Sequence, residues 1–151
     1  MKKTKIIIVC SQNSARSQMA EAFFNKYGQD ILEVASAGLE STSVNPYAIQ
    51  VMKEIGMDIS GQRSKSVKEF LGKNAFGYVI TVCKKAESRC PIIFPGVSQI
   101  LSWPFDDPAA VTGTEEEKLE AFRKARNEIE MKVKDWIAAN RQLLDCTGPV
   151  L

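Results

Sequence analysis

Hydrophobic residues along this chain fall into short apolar runs that alternate with segments of helical spacing. Four runs predict buried strands, at residues 6–9, 31–35, 78–82 and 100–103. Because helical segments separate strands that lack short hairpin turns, the strands are expected to pair in parallel. The pattern therefore predicts a three-layer α/β fold, in which helices cover both faces of a four-stranded parallel sheet.

Three helical segments accompany these strands. The first is predicted from about Ser17 to Gly28, and the second opens with Asn45 as its cap and Pro46 at its first position. A capping box at residues 114–117 begins a terminal helix of about seven turns. Its predicted buried face is formed by Leu119, Phe122, Ile129, Val133, Trp136 or Ile137, and Leu143. We expect a single catalytic domain over residues 1–144 and a tail over residues 145–151.

The segment between the first strand and the first helix combines a nucleophile with an anion-binding loop. It reads Cys10-Ser-Gln-Asn-Ser-Ala-Arg16-Ser17. A loop in this position turns its N–H groups and the positive end of the helix dipole into one small space. Arg16 can hold two oxygens of a tetrahedral oxyanion there, and Cys10 is expected to be a thiolate at neutral pH. A lone Cys10 could be a structural core residue, but its spacing from Arg16 favours catalysis.

Composition limits the remaining chemistry. The 151 residues include no histidine, which excludes a Cys-His pair, and no two cysteines have C-x-x-C spacing, so we expect no metal site. The chain contains twenty Lys and Arg and eighteen Asp and Glu residues, so its net charge is close to zero. No cluster of basic residues suggests a nucleic-acid partner. The first apolar run is shorter than the roughly 7–15 residues of a secretory segment. We therefore expect a cytoplasmic protein without a membrane partner.

Two further cysteines lie where they could react with Cys10. Cys83 ends the third strand, and Cys90 follows seven residues later, which is about 10.5 Å along a helix. A bond between these two would require that segment to unwind. Either cysteine could be incidental, but together with Cys10 they suggest a relay of thiol–disulfide exchange. Cys146 has no partner by spacing and is expected to be inert.

A pair of carboxylates, Asp106 and Asp107, precedes Pro108 at the same predicted edge of the sheet. A carboxyl group beside a bound anion can donate a proton to a departing oxygen. The alternative is that one or both cap a turn before Pro108. The sequence therefore offers a general acid without deciding between these roles.

Six features of the chain together match one known family. They are Cys10-x-x-Asn13-Ser14-x-Arg16-Ser17-Gln18-Met19-Ala20-Glu21, Ser36-Ala37-Gly38, Asn45-Pro46, Asp58-Ile59-Ser60, the Cys83 and Cys90 pair, and Trp103-x-Phe105-Asp106-Asp107-Pro108. With these features the chain resembles the thioredoxin-coupled arsenate reductases, which have the low-molecular-weight protein tyrosine phosphatase fold. The resemblance extends from about Lys5 to the end of the last helix.

The resemblance implies a role for each residue of the site. Cys10 would attack arsenate and Asp107 would donate a proton; Cys83 would attack Cys10, and Cys90 would attack Cys83. A Cys83–Cys90 disulfide would remain for thioredoxin, the external reductant, to reduce. Arsenate, or phosphate or sulfate as its analogue, would be bound by Ser11, Gln12, Asn13, Ser14, Ala15, Arg16 and Ser17. Asn13 would also shape the loop, and Ser17 would stabilise the thiolate. We expect a monomer without a tightly bound cofactor.

The chain departs from its relatives at two positions. Ala15 stands where many relatives have another cysteine, which a relay of three thiols does not need. Some relatives bind potassium through residues matching Asn13, Glu21 and Ser36 and an aspartate where this chain has Lys65. An ammonium group at that place could supply the charge of the cation, so we expect no potassium dependence.

Two other functions fit part of the pattern. A phosphatase acting on phosphotyrosine proteins or small phosphoesters would use the same Cys10, Arg16 and Asp107. Phosphatases of this fold tend to have aromatic residues where this chain has Ala109-Ala110, and they do not need the second and third cysteines. A non-catalytic oxyanion-binding module would keep Arg16 and the loop but would not need the thiol pair.

Overall fold

The computed structural model describes residues 3–70, 72, 76–84, 86 and 99–145. Cys90 and Cys146 lie outside these residues. The strands and helices of the described part are β1 (Thr4–Cys10), α1 (Arg16–Gly28), β2 (Leu32–Gly38), α2 (Pro46–Lys53), β3 (Tyr78–Thr81), β4 (Gln99–Ser102) and α3 (Glu115–Asp145). Short 3₁₀ turns occur at Val67–Glu69 and Pro108–Ala110.

The four strands form one parallel sheet in the order β2-β1-β3-β4. All four residues from Ile6 to Val9 in β1 are completely buried. Because successive side chains of a strand point to opposite faces, their burial means that both faces of the sheet are covered at β1. The predicted three-layer α/β fold with a four-stranded parallel sheet is thereby confirmed.

The sheet order brings the carboxyl ends of β1 and β3 together. From β1 the chain passes to β2 on one side and then to β3 on the other side, so the strand order reverses between β1 and β3. Val9 pairs with Thr81, and the N–H of Val82 donates to the carbonyl of Val9 at 3.0 Å. Ligands of parallel sheets bind at such a reversal. Cys10 and Cys83 follow these paired residues and therefore meet at this position.

The predicted helix starts are confirmed by their caps. Asn45 Oδ1 accepts from the N–H of Tyr47 at 2.8 Å, and Thr114 Oγ1 accepts from the N–H of Glu117 at 3.1 Å. Glu117 completes the capping box by accepting from the N–H of Thr114 at 3.3 Å. Both starts follow from hydrogen bonds within one turn of chain.

The buried face of α3 differs from the prediction at its last turn. Leu143 is 61% exposed, whereas Leu144 is 2% exposed and belongs to the core. Ile137 is buried, and two turns of a 3.6-residue helix lead from Ile137 to Leu144 rather than to Leu143. Although α3 is long, none of the helices in the described ranges combines the length and apolar character that a membrane crossing requires.

Helix α2 is held against α3 by a half-buried ion pair. Arg126, which is 8% exposed, donates to the carbonyl of Val51 at 2.8 Å and to Glu54 Oε1 at 2.9 Å. Arg123 also pairs with Glu54 at 2.8 Å. These contacts satisfy a backbone carbonyl and a carboxylate near the C-terminus of α2. They fix the helix whose N-terminal cap is Asn45.

Gly38 provides a test of how closely β2 packs against the loop that follows β1. A Cβ at this position would lie 2.6 Å from both the nitrogen of Asn13 and the carbonyl carbon of Gln12. Because these are backbone atoms, Gly38→Ala is expected to displace the loop and to lower the free energy of unfolding by about 1–3 kcal/mol. Urea unfolding measures the change.

Gly61→Ala is the matched control, because a Cβ there meets nothing within 4 Å. Its unfolding midpoint should equal or slightly exceed that of the wild type. If Gly38→Ala were as stable as Gly61→Ala, the close packing of Gly38 behind the loop would be refuted.

Candidate active site

The loop that follows β1 turns its carbonyl groups away from the space it encloses. The six carbonyls from Cys10 to Ala15 each accept a hydrogen bond of 2.9 to 3.1 Å from a group on the outside of the loop. The donors are, in order, Leu39 N, Glu40 N, Ser64 Oγ, Gln18 Nε2, Asn45 N and Met19 N. In a trans peptide the N–H points opposite to the carbonyl, so the loop N–H groups face inward. Such a concave set of N–H groups binds anions.

These N–H groups open into a cavity of about 150 Å³. Its lining contains seven of the predicted site residues, namely Cys10, Ser11, Gln12, Ser14, Ala15, Arg16 and Asp107. It also contains Asn45 and Ala109, which the sequence reasoning did not assign to the site. The nucleophile, the anion-binding loop and the proposed acid thus surround one space.

Arg16 and Asp107 approach each other at the rim of this cavity. Arg16 is 8% exposed, and its guanidinium donates to the carbonyl of Phe105 at 2.9 Å. Its other terminal nitrogen lies 3.8 Å from Asp107 Oδ2. Asp107 Oδ1 accepts from the N–H of Ala109 at 3.0 Å, so this residue caps a turn and also faces the pocket. Asp106 does not line the pocket and borders a neighbouring cavity instead.

Asn13 organises the loop from behind. It is completely buried and has a left-handed backbone with φ of 52°. Its Nδ2 donates to Ser17 Oγ at 2.8 Å and to Ser36 Oγ at 2.9 Å, and its Oδ1 accepts from Gln18 Nε2 at 2.9 Å and the N–H of Lys65 at 2.8 Å. These four bonds use the full capacity of the amide. The side chains of Asn13 and Ser17 therefore support the loop and do not line the oxyanion pocket.

Lys65 places a positive charge on the far side of this network. Its ammonium donates to the carbonyl of Arg63 at 2.7 Å and lies 3.7 Å from Glu21 Oε1. The same oxygen of Glu21 accepts from Ser36 Oγ at 2.7 Å. The side chains of Lys65 and Glu21 are only 13% and 14% exposed, so the pair is well shielded. The ammonium of Lys65 thus lies beside Glu21, as the sequence analysis predicted.

No group of three His, Cys, Asp or Glu side chains capable of holding a metal ion occurs in the parts of the chain that the structure describes. The loop offers N–H donors and a guanidinium, which suit an anion. Carboxylates and carbonyls that could coordinate a cation are instead engaged by Lys65 and Arg16.

Cys10 and Cys83 form a hydrogen-bonded pair of thiols at the floor of the site. They are 4% and 6% exposed. The hydrogen bond from Cys10 lowers the pKa of Cys83 to about 5, with the N–H of Ala86 and the charge of Arg16 acting in the same direction. The same bond, together with burial, raises the pKa of Cys10, although Arg16 opposes this. One proton and one negative charge are therefore shared between the two sulfurs.

This arrangement refines the expectation that Cys10 is a thiolate, because its negative charge is shared with Cys83. The loop N–H groups and Arg16 do favour a thiolate, as the sequence indicates. The sequence predicted that Cys83 could react with Cys10, but not that the two thiols share one proton. Because a buried pair so close cannot hold two negative charges, ionisation of Cys83 opposes ionisation of Cys10.

Several supporting residues were missed by the sequence reasoning. Gln18 bridges the loop to the segment around residue 63, because its amide also donates to the carbonyl of Arg63 at 3.0 Å. Gln62 in turn donates to Gln18 Oε1 at 2.7 Å. Asn45 was interpreted as a helix cap and as part of the Asn45-Pro46 motif, without a role in the pocket. Its place in the pocket depends on how α2 packs against the loop, for which the sequence carries no local signal.

The shared proton predicts an unusual thiol titration. In a Cys90→Ser/Cys146→Ser background, ultraviolet thiolate absorbance should show one ionisation with a midpoint near pH 5 and a second one above the ordinary thiol value of 9.0. Cys83 ionises more readily when folded, so its contribution to stability is complete above pH 9.0 and is lost as the pH falls towards 5. Absence of any thiolate below pH 8 would contradict this coupling.

The position of Lys65 predicts that potassium does not change the thermal stability of the protein. Thermal unfolding of the wild type should give the same midpoint in potassium chloride and in sodium chloride. Lys65→Gln should lower the free energy of unfolding by about 1–3 kcal/mol, because Glu21 loses its charged partner. Lys68→Gln, at an exposed position on the same segment, is the control. A wild-type midpoint raised by potassium alone would refute the prediction.

Comparison with known proteins agrees with this geometry. The family model of low molecular weight phosphotyrosine protein phosphatase matches residues 5–144. The chain is 45% identical over 134 residues to an arsenate reductase of Halalkalibacterium halodurans, which covers 89% of this chain and 95% of that protein.

Solved structures show the same similarity. An arsenate reductase in the oxidized state has a TM-score of 0.76 and 34% identity, and one in the phosphate binding state has a TM-score of 0.71 and 36% identity. Each comparison covers 90% of this chain and 98% of the other. The resemblance inferred from the sequence is confirmed. With a match over nearly its whole length, this chain belongs to the low molecular weight phosphotyrosine protein phosphatase family.

Proposed function

We propose that this protein is an arsenate reductase that uses three thiols in sequence and is regenerated by thioredoxin. The observation that supports this most is the burial of two cysteines, Cys10 and Cys83, at the adjacent carboxyl ends of β1 and β3. Hydrolysis of a phosphoester needs Cys10, Arg16 and an acid, but it has no use for a second thiol in contact with the first. Reduction needs that second thiol.

The first step joins Cys10 to arsenic. The loop N–H groups and Arg16 bind the arsenate oxygens, and Cys10 becomes the nucleophile when the shared proton moves across the hydrogen bond to Cys83. An S–As bond forms and an As–O bond breaks. The departing hydroxyl group of arsenate takes a proton from Asp107, whose Oδ2 faces Arg16 at 3.8 Å, and leaves as water.

The second step carries out the reduction. Cys83 loses its proton again, favoured by Arg16 and by the N–H of Ala86, which lies 3.5 Å from its sulfur. The Cys83 thiolate attacks the sulfur of Cys10, forming an S–S bond while the S–As bond breaks. The electron pair of that bond stays on arsenic, which changes from As(V) to As(III) and leaves as arsenite.

The third step frees Cys10 for another turnover. The Cys90 thiolate attacks Cys83, so that Cys10 leaves as a thiolate and a Cys83–Cys90 disulfide forms. The two thiols of thioredoxin then reduce this disulfide and become oxidised themselves. Cys90 lies outside the described residues, and its role rests on the resemblance. The expected cytoplasmic location, monomeric state and absence of a tightly bound cofactor also stay predictions.

A second, weaker activity on phosphomonoesters is favoured by the position of Asp107. Its carboxylate shares the pocket with Cys10 and Arg16, which are the groups that phosphoester cleavage requires. Cys10 would attack phosphorus, and Asp107 would protonate the departing alcohol. Formation of the Cys10 nucleophile would again require the shared proton to move to Cys83.

Cys90→Ser separates reduction from hydrolysis. Arsenate-dependent oxidation of NADPH, coupled through thioredoxin and its reductase, should be continuous for the wild type. The variant should stop after about one turnover, since its Cys10–Cys83 disulfide lacks the third thiol. Cleavage of p-nitrophenyl phosphate by the reduced variant should equal that of the wild type.

Cys146→Ser is the matched control and should oxidise NADPH at the wild-type rate. Multiple turnovers by Cys90→Ser would refute the three-thiol relay. A wild type that cleaves p-nitrophenyl phosphate rapidly but shows no arsenate-dependent NADPH oxidation would refute the reductase function and leave the phosphatase.

A further inference from the structure

We propose that Asn45 contacts the substrate, its side-chain amide donating a hydrogen bond to the oxyanion bound above Cys10. This inference rests on the proposed function, because it assumes that the pocket holds an oxyanion. Asn45 lines the pocket together with Arg16 and Asp107. Unlike these two residues, it is uncharged and offers a donor at the rim of the site.

The backbone of Asn45 is fixed to the loop itself. Its N–H donates to the carbonyl of Ser14 at 2.9 Å, within the run of outward carbonyls that shapes the anion site. Helix α2 begins at the next residue, Pro46, and its other end is held to α3 through Arg126. The Cα of Asn45 therefore keeps a constant position relative to the pocket.

The orientation of the side chain follows from its cap. Asn45 Oδ1 accepts from the N–H of Tyr47 at 2.8 Å, which assigns the oxygen and leaves the Nδ2 group at the other branch of the amide. Within the described residues, Nδ2 has no protein partner. A donor that is held in a pocket rim without a partner in the protein is available to a ligand.

The chemistry of the pocket gives this donor its function. Three oxygens of a tetrahedral anion can face the loop N–H groups and Arg16, and the fourth points towards the rim, where Asp107 and Asn45 lie. Asp107 must be protonated to donate there, whereas the Asn45 amide donates at any pH. Asn45 would thus donate a hydrogen bond to the outward oxygen of the bound anion.

A cap and a substrate contact predict opposite results for Asn45→Asp. Aspartate is as good an N-cap as asparagine, so α2 should remain stable. Its second oxygen would replace the Nδ2 donor with a negative acceptor facing the anion. Dissociation constants for inorganic phosphate and arsenate should rise about tenfold or more, since hydrogen bonds to charged groups are strong. The KM for arsenate should rise similarly, with a smaller change in kcat.

Asn45→Ser provides a neutral version of the test, because serine also caps helices but its short hydroxyl, used as the cap, does not replace the amide donor. Its phosphate affinity should fall about threefold to tenfold. The control is Asn25→Asp, which makes the same change of charge at an exposed position of α1 and should bind phosphate like the wild type. Calorimetric titration and urea unfolding are carried out on all four reduced proteins.

Each outcome has a distinct meaning. Weakened phosphate and arsenate binding by Asn45→Asp and Asn45→Ser, with unfolding midpoints close to that of the wild type, supports the contact. Unchanged binding by both variants would overturn it, and so would losses of affinity matched by losses of stability. If the wild type itself bound neither anion, the failure would lie with the oxyanion pocket of the proposed function.

Discussion

Hydrogen bonds on the outer side of the loop from Cys10 to Ala15 are the interactions on which the site depends. An inward N–H group is available to an anion because the carbonyl near it is bound outside the loop. The donors come from the chain after β2, the cap of α2, the first turns of α1 and the segment around residue 64. The anion site therefore exists only when these parts have packed together, and a bound anion should stabilise the whole fold.

The reversal of strand order then determines which reactive groups meet at the pocket. It places the sulfur that ends β1 beside the sulfur that follows β3, in a buried position with a shared proton. A single negative charge between two thiols leaves the pocket receptive to an anion, which two thiolates would repel. The same proximity allows Cys83 to attack the sulfur of Cys10, which breaks the bond between that sulfur and arsenic. Binding and reduction thus depend on one topological feature.

Short-range signals in the sequence were sufficient to predict the helices, the strands and the anion-binding loop. The caps at Asn45 and Thr114 were predicted correctly because each cap bonds within one turn of its own residue. The spacing of Cys10 and Arg16 identified the anion loop for the same reason, since the loop and the first turn of α1 are continuous chain. Apolar runs separated by helical stripes were enough for the parallel sheet.

Tertiary packing decided the features that join distant segments. It gave Asn45 a place in the pocket and turned the side chains of Asn13 and Ser17 behind the loop. It also placed Cys83 beside Cys10, so that the two thiols share one proton, because a pKa depends on every neighbour and not on neighbours in sequence alone. The sequence by itself determined the nucleophile, the anion loop and the order of elements, which depend on local bonds. Which donors and charges surround that nucleophile was decided only by the fold, because those groups come from residues far apart in the chain.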